Sequence, residues 1–271
     1  MQRTVTSRDG TVIAFDETGT GPPVIVVAAA LADRTGATKL SKNLAQRFTV
    51  LNYDRRGRGQ SSDIKPYAID REIEDIDALI DHAGGSAFLF GSSSGAVLAL
   101  DAAARLGPKI KSLYIYEPPF IIDDGHPPMA DGFAAEIEKL VEAGERNEAV
   151  KLFFGKGMGI PSFAVTLMRY LMPGWSKMTK VAHTLPYDLA ILKGTQNGHP
   201  LPARRWSTAS SPVLVMVGSK SEPFFHNGAK ALAAILPNGR YDVLAGKSHS
   251  AILMATRKLA EAAGEFYQAR D

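Results

Sequence analysis

Residues 91–95 read Gly91-Ser92-Ser93-Ser94-Gly95, a G-x-S-x-G segment lying between the apolar run 86–90 and the helix-forming stretch 96–105. A serine forced into a sharp turn between strand and helix presents its hydroxyl outward only if the residues two before and two after it lack bulky side chains. Gly91 and Gly95 meet that need, so the segment reads as a nucleophile elbow with Ser93 at its apex. The plain alternative, in a chain of 25 glycines, is a polar serine turn that caps the next helix.

Around this segment short β-rich runs alternate with amphipathic stretches, the pattern of an α/β fold with a mostly parallel central sheet and helices on both faces. Candidate strands fall at 11–16, 24–29, 48–54, 87–91, 112–117, 212–218 and 241–245. Ile73, Ile76, Leu79 and Ile80 mark one face of a helix, and residues 251–267 make a long final one. The alternation breaks over residues 120–206, where helix-like pieces are divided by Pro127-Pro128, the glycine-rich stretch 155–161 and Pro173-Gly174. The expected organisation is therefore a core of residues 1–119 and 207–271 interrupted by a helical insertion, 120–206. Met158, Phe163, Met168, Tyr170, Met172, Trp175 and Met178 give that insertion adaptable and aromatic surface. Such residues either line a pocket or form the insertion's own core.

With 271 residues, 45% hydrophobic and 22% charged, the chain has apolar material for one large domain plus an insertion. The net charge of +3 comes from scattered Lys and Arg without interleaved aromatics, which argues against a nucleic-acid partner. Zero cysteines exclude disulfides, thiolate metal sites and a cysteine nucleophile. Residues 1–10 hold no apolar core of signal-peptide length, and the early run 24–32 is too short to span a bilayer. A cytoplasmic protein with no membrane partner is expected. No two histidines stand at helical ligand spacing, and Gly57-Arg58-Gly59 lacks the third glycine of a dinucleotide fingerprint, so neither metal nor cofactor is expected.

In order along the chain stand a strand, Asp54-Arg55-Arg56-Gly57-Arg58-Gly59-Gln60-Ser61, the elbow, Tyr116-Glu117-Pro118-Pro119, the insertion, a strand ending at Gly218, and Gly246-Lys247-Ser248-His249. This series resembles the α/β-hydrolase superfamily with a cap domain, over essentially the whole chain. The 54–61 loop reads mainly as scaffold, with Gly57 and Gly59 permitting turns and Arg56 tying carbonyls or Asp54 together. His249 follows the last strand into a loop at the strand carboxyl ends, where the superfamily keeps its general base.

The resemblance implies a third, acidic member, and here the chain departs from the usual pattern. Ser221 stands where most relatives carry Asp. The candidates are Glu117, at the end of the strand after the elbow helix, and Glu222; Glu117 is preferred, by analogy with haloalkane dehalogenases, and it keeps the order nucleophile, acid, base. Relatives often carry His-Gly after the strand that here runs into Ala28-Ala29-Ala30-Leu31, so the implied oxyanion donors are the backbone N–H groups of Ala30 and Ser94. Alanines in place of glycine leave open whether that turn is rebuilt. Leu31, Met172 and Trp175 are the candidate substrate-contacting residues.

The implied activity is that of a serine hydrolase, transferring the acyl group of a small to medium, fairly apolar ester, as carboxylic ester hydrolases do. A non-hydrolytic or ligand-binding member of the same fold is the alternative: a C–C hydrolase, lyase, perhydrolase or receptor-like protein. A dehalogenase is disfavoured because the elbow carries Ser93 rather than a carboxylate. The cap helices offer surface for a homodimer or for a closed monomeric lid.

Overall fold

Strand residues of alternating side assemble two apolar layers. Ile25, Val27, Leu89, Leu113, Ile115, Val215 and Val217 face one way, while Val24, Val26, Phe88, Phe90, Tyr114, Tyr116 and Met216 face the other. The computed structural model describes residues 2–269. Its strands are β1 (Gln2–Thr6), β2 (Val12–Thr18), β3 (Pro23–Val27), β4 (Thr49–Tyr53), β5 (Ala87–Ser92), β6 (Ile110–Tyr116), β7 (Val213–Gly218) and β8 (Gly239–Leu244). They form one sheet in the order β1-β2-β4-β3-β5-β6-β7-β8. β1 and β2 run antiparallel to their neighbours, and the remaining pairs are parallel.

The helices are α1 (Thr38–Leu44), α2 (Ile69–His82), α3 (Ser94–Leu106), α4 (Phe133–Glu142), α5 (Arg146–Leu152), α6 (Ser162–Leu171), α7 (Trp175–Val181), α8 (Leu185–Leu192), α9 (Pro223–Ile235), α10 (Ala251–Met254) and α11 (Thr256–Gln268). The apolar stripes of α2, α3 and α9 cover one face of the sheet, and those of α1 and α11 cover the other. Among the described residues no helix is long and apolar enough to cross a membrane.

All seven expected strands form within two residues of the expected limits. β1 is additional: a polar edge strand whose side chains are almost all exposed. The expected long final helix is interrupted at Ala255, which leaves helical geometry with φ −126° and ψ 34°. Helices α4 to α8 lie between β6 and β7. Phe133, Ile137, Val150, Val165, Trp175 and Leu185 form a third apolar cluster there, which also takes in Leu31. α8 belongs to both layers, because Ile191 and Leu192 join the sheet's core while Leu185 and Leu189 join the third cluster.

Candidate active site

Strand register sets two of the site's residues side by side. Ser92 pairs with Tyr116, so the next residue on each strand, Ser93 and Glu117, leaves the sheet at its carboxyl edge. Ser93 N–H donates to Tyr116 O at 3.0 Å, and Glu117 N–H donates to Met216 O at 3.0 Å. Both residues turn into left-handed backbone, with φ 53° at Ser93 and φ 48° at Glu117. Among the described residues the third non-glycine of this kind is Leu31, φ 57°. Each such residue costs on the order of 1–3 kcal/mol and persists only when its surroundings over-determine it.

Close approach explains the glycines of the elbow. A Cβ on Gly91 would lie 2.7 Å from Gly95 O and 2.8 Å from Ala96 Cα; one on Gly95 would lie 2.5 Å from the carbonyl oxygens of Val27 and Ala28. α3 therefore starts directly against β3. Ser93 is half-buried at its amino end. Ser94, the first residue of α3, has a backbone N–H without an intrahelical partner, at the positive end of the helix dipole.

Glu117 is fully buried and is shared by three donors. His249 Nδ1–H donates to Oε2 at 2.8 Å, Gly218 N–H donates to Oε1 at 2.7 Å, and the Ser221 hydroxyl donates to Oε1. Burial alone pushes this carboxyl up, but the bonds from His249, Ser221 and Gly218 outweigh it and hold Glu117 below the usual carboxylate range. Glu222, the other candidate acid, is exposed at the N-cap of α9 and is not the carboxylate that meets His249. The cause is register: Gly218, paired with Leu244, ends β7 where Glu117 already fills the space beside the histidine.

The loop carrying His249 is pinned on both sides. Tyr116 Oη donates to Ser248 O at 2.8 Å and Lys220 N–H donates to Lys247 O at 2.7 Å. The Phe225 ring stacks on the imidazole at 5.0 Å between centroids. The imidazole keeps 31% of its surface exposed, enough to meet a substrate.

The 54–61 loop serves as scaffold: Arg56 ties a backbone carbonyl, as expected, but its carboxylate partners are not Asp54. Arg56 pairs with Asp75 (2.7 Å) and Asp9 (2.9 Å) and donates to Arg71 O (2.9 Å), whereas Asp54 is held by Arg34 and by the N–H of Gln60. Arg55, Arg56 and Arg58 are all at most 1% exposed. Buried guanidinium groups need carboxylates, and Arg55 and Arg58 both find Asp188 of α8. Asp188 does not stand out in the sequence, and Ser221 stands out only as the residue standing where the resemblance implies Asp. One signal of the network is readable there: Glu72 and Asp75 fall on the same face of α2 as Ile73, Ile76 and Leu79, and both are buried.

Of the candidate substrate contacts, Leu31 is buried beneath the insertion, beside the half-buried Ala30. Trp175 lies inside the third cluster, its indole N–H donating to Asn147 Oδ1 at 3.0 Å, and Met172 is half-buried. Phe163 and Tyr170 are 76% and 74% exposed, so they are neither core nor enclosed lining. A surface cavity of about 830 Å³ opens between α4, α5 and Ile160, and none of Ser93, Glu117 and His249 lines it. Among the described residues no group of three His, Cys, Asp or Glu side chains is placed to hold a metal ion.

A strained serine at the strand-to-helix turn of an eight-stranded α/β sheet, with a histidine and buried acid at the same edge, defines a class as well as a site. The chain matches the alpha/beta hydrolase family over residues 24–262, and it belongs to that family. It is 44% identical to an alpha/beta hydrolase from Sphaerobacter thermophilus DSM 20745, whose solved structure superposes with a TM-score of 0.89 over 98% of this chain and 100% of that one. A stretch of 149 residues is 28% identical to the uncharacterized hydrolase YraK of Bacillus subtilis (strain 168), covering 53% of this chain and 54% of that protein. The chain thus spans about half the length of the curated relative it matches. A thermophilic esterase from Thermogutta terrifontis shares the fold at 22% identity and TM-score 0.69, over 99% of this chain and 98% of its own.

Proposed function

We propose that the protein is a serine hydrolase that acts by acyl transfer on an ester-like bond of a small to medium, fairly apolar substrate. The observation that carries this reading is the coincidence of backbone strain with chemistry: among the described residues, the three non-glycine residues in left-handed backbone are the elbow serine, the acid bonded to His249, and Leu31 of the turn facing the elbow. His249 Nε2 takes the proton of Ser93 Oγ as that oxygen attacks the acyl carbonyl. Glu117 keeps Nδ1 protonated and stabilises the imidazolium that forms. The backbone N–H groups of Ser94 and Ala30 receive the tetrahedral anion, with the amino end of α3 adding its dipole. His249 then returns the proton to the leaving alkoxide, and water activated in the same way releases the acid.

Residues 120–206 act in this reading as a cap, with α4 to α8 standing over Ala30 and Leu31. The test is intact-mass analysis after exposure to a fluorophosphonate, comparing the wild type with Ser93→Ala. One adduct on the wild type, absent from the variant, is expected. A folded wild type that takes no adduct would overturn the serine-hydrolase reading.

A further inference from the structure

We infer that Asp188 is a positioning residue that aligns both backbone donors of the oxyanion hole, an inference that rests on the serine-hydrolase reading above. The side chain is fully buried on α8. Its Oδ1 accepts from Ser94 Oγ at 2.8 Å and from Arg55 Nη1 at 2.7 Å, and its Oδ2 accepts from Arg58 Nη2 at 2.6 Å. Burial pushes this carboxyl up, but Arg58 and Arg55 outweigh it and hold it below the usual carboxylate range. Two guanidinium groups face two carboxylates, because Arg55 also meets Glu72 through Nε and Nη2 at 2.8 and 2.6 Å. The cluster is neutral as a whole.

The same two arginines reach the opposite wall of the site. Arg55 Nη1 donates to Ala28 O at 3.3 Å, and Arg58 Nη1 donates to Ala29 O at 2.8 Å and to Ala32 O at 3.1 Å. A peptide unit is planar and trans, so fixing the Ala29 carbonyl fixes the N–H of Ala30, which points away from it in the same plane. The contact from Arg58 thereby aims one donor. The contact from Ser94 Oγ locks the residue that carries the other. One carboxylate joins the two, and it holds in place a turn that has Ala28-Ala29-Ala30 where a glycine would otherwise supply freedom. Asp188 comes from the insertion, so the geometry of the hole depends on how α8 is seated against α3.

Three proteins decide the matter: wild type, Asp188→Asn and Ser94→Ala. The readouts are the rate of Ser93 phosphonylation by a fluorophosphonate, kcat and KM for p-nitrophenyl butyrate, and the pH–rate profile, with near-ultraviolet circular dichroism to confirm folding. Ser94→Ala keeps every charge paired and its N–H intact, so it serves if Asp188→Asn fails to fold. Asp188→Asn is expected to lower both kcat and the phosphonylation rate by about 10²–10³-fold, the scale of one misplaced oxyanion donor. Ser94→Ala is expected to lower them about tenfold, the scale of one buried hydrogen bond. KM and the acidic limb of the profile stay where they are, because the network touches neither His249 nor Glu117. Wild-type rates in the folded variants, a loss carried by KM, or a moved acidic limb would overturn the assignment. An unlabelled wild type would instead overturn the serine-hydrolase reading, and this inference with it.

Discussion

At the residue scale, the Ser221 hydroxyl, the Gly218 N–H and His249 converge on the Glu117 carboxylate. Where most relatives place an aspartate, this chain has a hydroxyl that donates to a carboxylate supplied by the neighbouring strand. In the proposed triad the acid comes from the end of β6 rather than β7, which is compatible with its task of orienting Nδ1–H and stabilising charge, because both depend on distance rather than on chain origin. Glu117→Gln is expected to lower kcat by about 10³–10⁴-fold while the protein stays folded, because an amide no longer stabilises the imidazolium. Glu222→Gln, altering an exposed side chain, is expected to leave ester turnover unchanged. Steady-state kinetics on the two variants checks both, and equal losses would remove Glu117 from its role. The preference for Glu117 came from its place at the end of the strand after the elbow helix, by resemblance to family members that take their acid there, because the order of residues along the chain fits Glu222 equally well. The Arg55–Asp188–Ser94 cluster was not legible in the sequence, because nothing near Asp188 in sequence marks it as anything but a polar residue on a helix.

At the element scale, the elbow is a packing problem solved by two glycines. Neither has a positive φ; they are required because β5, α3 and β3 come closer there than a methyl group allows. Gly95→Ala would place its Cβ 2.5 Å from two backbone carbonyls, which cannot move without shifting β3. A loss of about 1–3 kcal/mol or more in urea denaturation is expected. Gly36→Ala is the control: its nearest neighbour is Ala32 Cβ at 3.5 Å, an ordinary contact, so stability should hold or rise by up to about 1 kcal/mol. Strands and helices with a buried face were readable from period alone. β1 was not, because Gln2–Thr6 pairs with β2 by its backbone and buries no apolar face that would leave a pattern. The break at Ala255 was equally hidden. No Gly or Pro marks it, and α11 restarts where Thr256 Oγ1 accepts a bond from Asn43 of α1 at 3.1 Å.

At the scale of the whole molecule, buried charge ties distant segments together. Arg56 links the β1–β2 turn, through Asp9, to α2, through Asp75. Burial pushes the Asp9 carboxyl up, but its bonds from Arg56 and Thr11 outweigh this and hold it at about 2, against an ordinary 3.8. A folded value below the unfolded one gives stability that is present above the unfolded value and is lost as pH falls through the folded one. Asp9→Asn is therefore expected to cost at most about 2 kcal/mol at pH 7 in urea titrations, with the gap to wild type closing between pH 4 and 2. A gap that stayed constant over that range would remove the ion pair as its cause.

The sequence by itself determined what neighbouring residues can encode: the strand-turn-helix at Ser93, the alternation that makes a covered parallel sheet, the helical interruption between β6 and β7, and a histidine in the loop after β8. Each follows from local sterics or from a hydrophobic period read over a few residues. Only the tertiary structure decided which carboxylate meets His249 and which side chains brace the turn at Ala30. Those contacts join residues 132 apart, as Glu117 with His249, and 94 apart, as Ser94 with Asp188. Strand register and the seating of α8 bring them within hydrogen-bond distance, and no local preference of either residue carries that information.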